Sequence, residues 1–239
     1  MSEGRKRMSF YYDMWEKLEE TYRNEFSSFI AEVKRESNMR EVIFIGRAGQ
    51  GVWTLGELLC ATLIETGKYA KTVFAMPGDR RASLARMYIR YSDRPAIFPS
   101  SYIYTPDEVV ICDASLMEFQ SVLWDYDVPA LLRDMGRDST CLINTTKSFM
   151  ELGLNCKGRV GTVDATSIAI DLLGSPDHIN TPLLGAYISA TQMIRFEEFE
   201  QAIRRYHNPR GEYFFSGKRA EKNIRAARRG YEDFKYLEG

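Results

Sequence analysis

The densest chemical signal in the chain is Gly46-Arg47-Ala48-Gly49-Gln50-Gly51, which fits Gly-x-Gly/Ala-x-x-Gly with Ala48 in the middle place. Small residues at this spacing let the backbone turn tightly and approach an anionic ligand. They also aim the free N–H groups of a following helix at it. Close packing of a helix on a strand needs the same spacing, so the context decides. Here an apolar run from Glu41 to Ile45 precedes the loop, and Leu55, Leu58, Leu59 and Leu63 follow it at helical spacing.

Two usual owners of such a loop fail on their own requirements. A triphosphate loop needs Lys and then Ser or Thr after Gly51, but Val52-Trp53 stand there. A nicotinamide site needs a carboxylate at the end of the second strand to grip the ribose. That strand ends Phe74-Ala75-Met76-Pro77-Gly78, and Asp79 is followed at once by Arg80-Arg81. Two guanidinium groups suit a phosphate or carboxylate better than a ribose edge, though an exposed turn or a subunit salt bridge would also hold them. A catalytic centre is hard to assemble: Gly-x-Ser-x-Gly and His-Glu-x-x-His are both missing. His178 and His207 lie in polar turns, where a solvated surface position is expected. Asp113, Asn144, Thr145, Asp164 and Thr166 all follow strand-like runs, where an open α/β sheet has its crevice. For Asp164 and Thr166 helix capping is the preferred reading.

The elements that must position these groups alternate between strand and helix patterns, which predicts a Rossmann-like α/β fold, a mostly parallel sheet with helices on both faces. Strands are expected at 41–45, 69–75, 109–112, 140–143 and 160–163, with an alternating segment at 82–91. Helices are expected at 53–66, through Ile168 to Leu173, from Thr181-Pro182 with Pro at the first position, and over 218–236. Before this core, apolar residues from Phe10 to Val33 recur at three- and four-residue spacing, predicting an amphipathic helix over about 9–35. Its aromatic face would pack on its own domain or on a partner subunit. The expected division is an N-terminal helical arm, 1–40, and an α/β domain, 41–239.

Composition excludes whole classes. Lys+Arg 32 against Asp+Glu 33 is not the excess of a protein that neutralises nucleic acid. No apolar run nears the roughly 20 residues of a membrane helix, and no apolar segment follows the basic start as in a signal peptide. A cytoplasmic protein, working without nucleic acid or membrane, is expected. Cys60, Cys112, Cys141 and Cys156 form no Cys-x-x-Cys pair, so no metal site is expected on this chain alone. Cys112 and Cys141 read as buried, inert thiols.

With these residues in view, the chain resembles the gamma subunit, or gamma domain, of the thiamine diphosphate-dependent 2-oxoacid:acceptor oxidoreductases, such as pyruvate:ferredoxin oxidoreductase. The resemblance is carried by Ile45 to Val52, Gly67 to Ala70, Pro77 to Ser83, Val110 to Asp113, Ile143 to Thr145, Val163 to Thr166, Asn180 to Gly185, and Lys222-Asn223 through Tyr231. It covers roughly residues 41 to 232. It implies a subunit of a complex that oxidatively decarboxylates a 2-oxoacid to an acyl-coenzyme A, with no activity alone. Alpha, beta and delta-type subunits are the implied partners, with ferredoxin or another electron acceptor. Thiamine diphosphate, Mg2+ and iron–sulfur clusters are implied on those partners, and coenzyme A on this chain. The resemblance puts coenzyme A contacts on Gly46, Arg47, Ala48, Gly49, Gln50 and Gly51, with Arg80, Arg81, Asn144 and Thr145 as further candidates. The family loop usually has Gly where Ala48 stands, and Pro-Glu-Arg-Arg-Gly where Gly78 to Ala82 stand. Phenylglyoxylate or indolepyruvate variants stay open, as do a purely structural subunit and a self-contained nucleotide-dependent oxidoreductase.

Overall fold

The computed structural model describes residues 21, 24–76, 84–96, 98–118, 120–121, 126–207 and 215–237. Arg80 and Arg81 lie outside the described residues, as does most of the expected 9–35 helix. Residues 24–37 of that helix are described and helical (α1), ending where Asn38 turns left-handed.

The central strand is β1, Arg40–Arg47, whose middle six residues are all buried. A run buried on both faces is the mark of an interior strand in a helix-covered sheet. It continues through α2 (Val52–Glu65) to β2 (Tyr69–Ala75), and β3 (Leu84–Ser92) follows. Then come β4 (Glu108–Ile111), a short 3-10 turn over 114–118, a small hairpin of β5 (Gln120–Ser121) and β6 (Tyr126–Asp127), and α3 (Val128–Asp134). The chain goes on through β7 (Thr140–Asn144), α4 (Phe149–Leu152), β8 (Arg159–Val163), α5 (Ala165–Leu173), α6 (Asn180–Thr191), α7 (Phe196–Arg205), α8 (Lys218–Asp233) and β9 (Lys235–Tyr236).

The main sheet has the order β2-β3-β1-β4-β7-β8-β9. β1, β4, β7 and β8 are parallel, and β2, antiparallel to the antiparallel β3, points the same way, so five of the seven strands share one direction. The expected α/β class and predominantly parallel sheet hold. Alternate side chains of the central strands feed two apolar layers. Val42, Phe44, Val110 and Leu142 meet α2 and α5–α8; Ile43, Ile45, Val109 and Ile143 meet Leu116 and α3. Among the described residues, no helix is long and apolar enough to cross a membrane.

Four differences from the expected pattern have local causes. The 82–91 segment looks half polar because of Arg86 and Arg90, yet all nine residues of β3 are buried. Arg90 is held there by Glu41 at 2.8 Å and by the carbonyls of Pro99 (2.9 Å) and Ser101 (2.8 Å). Removing Glu41 would leave the buried Arg90 guanidinium with carbonyl partners alone, a cost of up to about 3–5 kcal/mol. The C-terminal helix stops at Asp233, and Lys235–Tyr236 instead form β9 beside β8. Pro182 is the third residue of α6, not the first, where its missing N–H is still harmless. α7 was not expected, although Phe196, Phe199 and Ile203 line its buried face.

The helices α6 and α8 meet backbone to backbone. A Cβ on Gly185 would lie 1.9 Å from the Ala227 carbonyl oxygen, and one on Gly230 1.9 Å from that of Pro182. No side-chain rotamer can relieve a clash with main chain, so Gly185→Ala and Gly230→Ala must push the helices apart. Each should lower unfolding stability by roughly 1–3 kcal/mol in urea titrations, the usual range for overpacking.

Candidate functional site

β1 and β4 are parallel neighbours whose connections leave by opposite faces: β1 continues into α2 in one apolar layer, β4 towards α3 in the other. Such a switch point opens a crevice at the carboxyl ends of the two strands. The glycine loop lies there. Gly46 and Arg47 are still part of β1, so the turn itself is Ala48 to Gly51. Gly46 serves close packing, since a Cβ would lie 2.5 Å from Val52 and 3.1 Å from Cys112. Gly49 and Gly51 have φ of 98° and 68°, the left-handed region that favours glycine, and a Cβ on Gly51 would lie 2.7 Å from the Asn180 amide.

The loop is pinned to β4. The Arg47 Nε donates to Asp113 Oδ2 at 3.1 Å, its Nη2 donates to Ser115 at 2.8 Å, and Gln50 Nε2 donates to Asp113 at 3.3 Å. Gln50 also accepts from the Arg47 backbone N–H at 2.7 Å. Partial burial pushes the Asp113 carboxyl up, but hydrogen bonds from Ser115, Arg47 and Gln50 outweigh this and hold it below its ordinary range.

Asn144 is buried and occupied internally. Its amide donates to the Cys112 carbonyl at 3.0 Å and to Thr166 at 2.9 Å, and accepts from the Ala165 N–H at 2.9 Å. It thereby ties the ends of β4 and β7 to the start of α5. Thr145 donates its N–H to the Val163 carbonyl and accepts from the Lys147 N–H. Asp164 caps α5 through the Ser167 N–H at 2.9 Å, as expected, whereas Thr166 serves Asn144 rather than a cap. Cys112 and Cys141 are fully buried, and burial pushes the Cys112 thiol up to about 12.

Beside the glycine loop is a cleft of about 620 Å³, lined by Gly49, Gly51, Asn180, Lys218, Arg219 and Lys222, with Asp177, His178, Leu173 and Phe215 also in its wall. The exposed His178 thus borders a cavity instead of facing bulk solvent alone. Three helices begin at this cleft, and all lack a side-chain cap: α2 after Gly51, α6 after Ile179 and α8 after Gly217. By contrast α3, α4 and α5 are capped by Asp127, Ser148 and Asp164. Uncapped first turns leave N–H groups and the positive ends of helix dipoles for an anion. The Asn180 Oδ1 is buried with no hydrogen-bond partner. Sequence reasoning missed Asn180, Lys218 and Lys222; basic residues directly after Gly217, at the wrong end of a helix, were the available signal. Among the described residues, no group of three or more His, Cys, Asp or Glu side chains is placed to hold a metal ion.

β3 lies between β1 and β2, so the strand that would carry a nicotinamide ribose clamp is one place removed from the loop. Together the fold and crevice define a Rossmann-like α/β chain with a glycine loop at its switch point. Residues 41–233 match the family model described as pyruvate ferredoxin/flavodoxin oxidoreductase, and the chain belongs to that family. It is 39% identical over 166 residues to pyruvate synthase subunit PorC of Methanosarcina barkeri, spanning 70% of this chain and 85% of that protein. It is 36% identical over 203 residues to the pyruvate/ketoisovalerate oxidoreductases common subunit gamma of Pyrococcus furiosus, spanning 84% of this chain and all of that protein. A crystal structure of pyruvate oxidoreductase subunit PORC from Thermotoga maritima shares the fold at TM-score 0.68 and 29% identity, over 84% of this chain and 99% of that one. The resemblance read from the sequence is confirmed.

A carboxyl whose folded pKa is depressed contributes stability above its unfolded pKa and loses it as pH falls through the folded value. Acid should therefore weaken the fold below roughly pH 4 in part through Asp113. Asp113→Asn should flatten that acid limb in thermal melts across pH; an unchanged limb would remove Asp113 from the account.

Proposed function

We propose that this chain is the gamma subunit of a multi-subunit 2-oxoacid:acceptor oxidoreductase and that its glycine-loop cleft binds coenzyme A. The observation that carries the reading is the meeting of three uncapped helix starts on one cleft beside Gly49 and Gly51. The relatives support the subunit part of the reading by name, as pyruvate synthase and pyruvate/ketoisovalerate oxidoreductase subunits. The residues present fit a phosphate-bearing co-substrate: backbone N–H donors of the loop and helix starts, with Lys218, Arg219 and Lys222 in the same wall. Coenzyme A supplies the thiol that takes up the acyl group.

This chain's part is to bind and orient. Gly49 and Gly51 present backbone to the diphosphate, Gln50 braces the turn through its N–H to the Arg47 carbonyl and its side chain to Asp113, and Gly46 and Ala48 keep the loop close to the sheet. Arg47 holds the loop to Asp113, and Asn144 and Thr145 hold the neighbouring strand ends. Arg80 and Arg81 are assigned to phosphate on sequence grounds. Thiamine diphosphate with Mg2+ and the iron–sulfur clusters belong to alpha, beta and delta-type partners in the cytoplasm, with ferredoxin or a similar acceptor taking the electrons. Residues 1–40 form an additional arm on the 41–239 domain.

A purely structural subunit is the second reading, favoured by the packing of Gly46 against Val52 and Cys112. The two separate on coenzyme A affinity of the assembled complex. Gly49→Val, Arg80→Ala and Arg81→Ala should each weaken it by about tenfold, the worth of one charge-assisted contact. Unchanged affinity in all three, with altered stability for Gly49→Val, selects the structural reading.

A further inference from the structure

The two edges of the main sheet are finished differently. β9, at one edge, has two residues and offers almost no ladder. β2, at the other, has seven, and all seven pair with β3 in unbroken register from Tyr69↔Ser92 to Ala75↔Arg86. Among the described residues no other main-chain group bonds to β2, so its outer row of N–H and C=O groups is open. Proteins usually blunt such an edge with a proline, a bulge, an outward lysine or a very short strand. β2 has no proline, no glycine and no bulge. Its one charge, Lys71, is turned to the Phe98 carbonyl at 3.0 Å and to Ser100 at 2.7 Å.

The flank of this edge is apolar as well. Thr72 donates to Glu57 of α2 at 2.8 Å, which registers the helix against the strand. As the connection between two strands that point the same way, α2 runs opposite to β2. One helical turn back from Glu57 (about 6 Å) and two residues on from Thr72 (about 7 Å) therefore bring Trp53 beside Phe74. Both are exposed, as are Ile64 near the other end of α2 and Tyr69 at the start of β2.

We propose that β2 pairs with β2 of a second copy of this chain, antiparallel about a two-fold axis at Thr72, making one sheet continuous through both. A two-fold axis between identical edges requires antiparallel pairing. The residues select where the axis falls. About Thr72, Tyr69 lies opposite Ala75, Phe74 opposite Ala70 and Lys71 opposite Val73, so each aromatic ring meets a small side chain and no like charges are opposed. An axis at Lys71 would oppose the two ammonium groups, and one at Val73 would leave Tyr69 beyond the end of the pairing. The axis at Thr72 also carries Trp53 of one α2 towards Ile64 of the other, covering exposed apolar surface on both. The crevice between β1 and β4 stays clear, because β3 and β1 stand between β2 and β4.

The test is sedimentation velocity of the purified full chain, together with hydrogen exchange of its amides. Wild-type protein should sediment as a dimer, and the β2 amides that point away from β3 should exchange slowly. Phe74→Lys and Tyr69→Lys, at exposed positions where lysine blunts an edge, should each raise the dissociation constant at least about tenfold and return those amides to fast exchange. Phe74→Leu should keep the dimer. A wild-type chain that is still monomeric at about 100 µM overturns the proposal. A dimer whose outer β2 amides exchange fast places its interface elsewhere and overturns it too. Protected β2 amides in a complex that holds one copy of this chain assign the edge to a different partner strand and overturn the second copy. The wild-type measurements do not depend on any variant folding.

Discussion

The pairing of β1 with β4 is the constraint on which the rest depends, and an Arg–carboxylate contact secures it at each end. Arg40, the first residue of β1, reaches Glu108, the first of β4, at 2.7 Å; Arg47, the last of β1, reaches Asp113 just past β4. The two contacts lie in different surroundings. Glu108 is buried, with Tyr187 and Tyr91 also donating to it; burial raises its carboxyl above the ordinary range, against the pull of Arg40. Asp113 is partly exposed and held low. One end is a structural lock, and the other sits at the crevice and fixes the glycine loop.

From that pair the architecture spreads outward. Glu41, next to Arg40, is shared by Arg90 of β3 and Lys34 of α1, and Lys34 also reaches Asp107 at 3.0 Å. One carboxylate thus joins the central sheet to the helix that precedes it. The matched family segment begins at residue 41, and α1, which precedes it, is tied to the core by charge as well as by the buried Ile30.

Legibility in the sequence followed the range of the forces involved. The glycine loop was readable because positive φ and close approach are local demands, and β4 and β7 because burial on both faces leaves short apolar runs. β3 was obscured because the partners of Arg90, Glu41 and the 99–101 carbonyls, are remote or main-chain groups. β9 has only two residues and exists because β8 offers an edge. The α8 wall of the cleft was missed because about 170 residues separate Lys218 from the loop it faces; only the fold brings them together. Asn144 was rightly placed at a strand end, but its three bonds to neighbouring elements have no signature in spacing.

The main-chain contact of α6 with α8 has a thermodynamic meaning beyond packing. Asn180 stands at the start of one of these helices and the lysines at the start of the other, and at Gly185 and Gly230 the helices touch main chain to main chain, with no side chain to change rotamer. The separation of the two walls of the cleft is therefore set during folding. Little conformational entropy is left in that spacing, so any molecule that fits the cleft would meet it with small deduction for ordering.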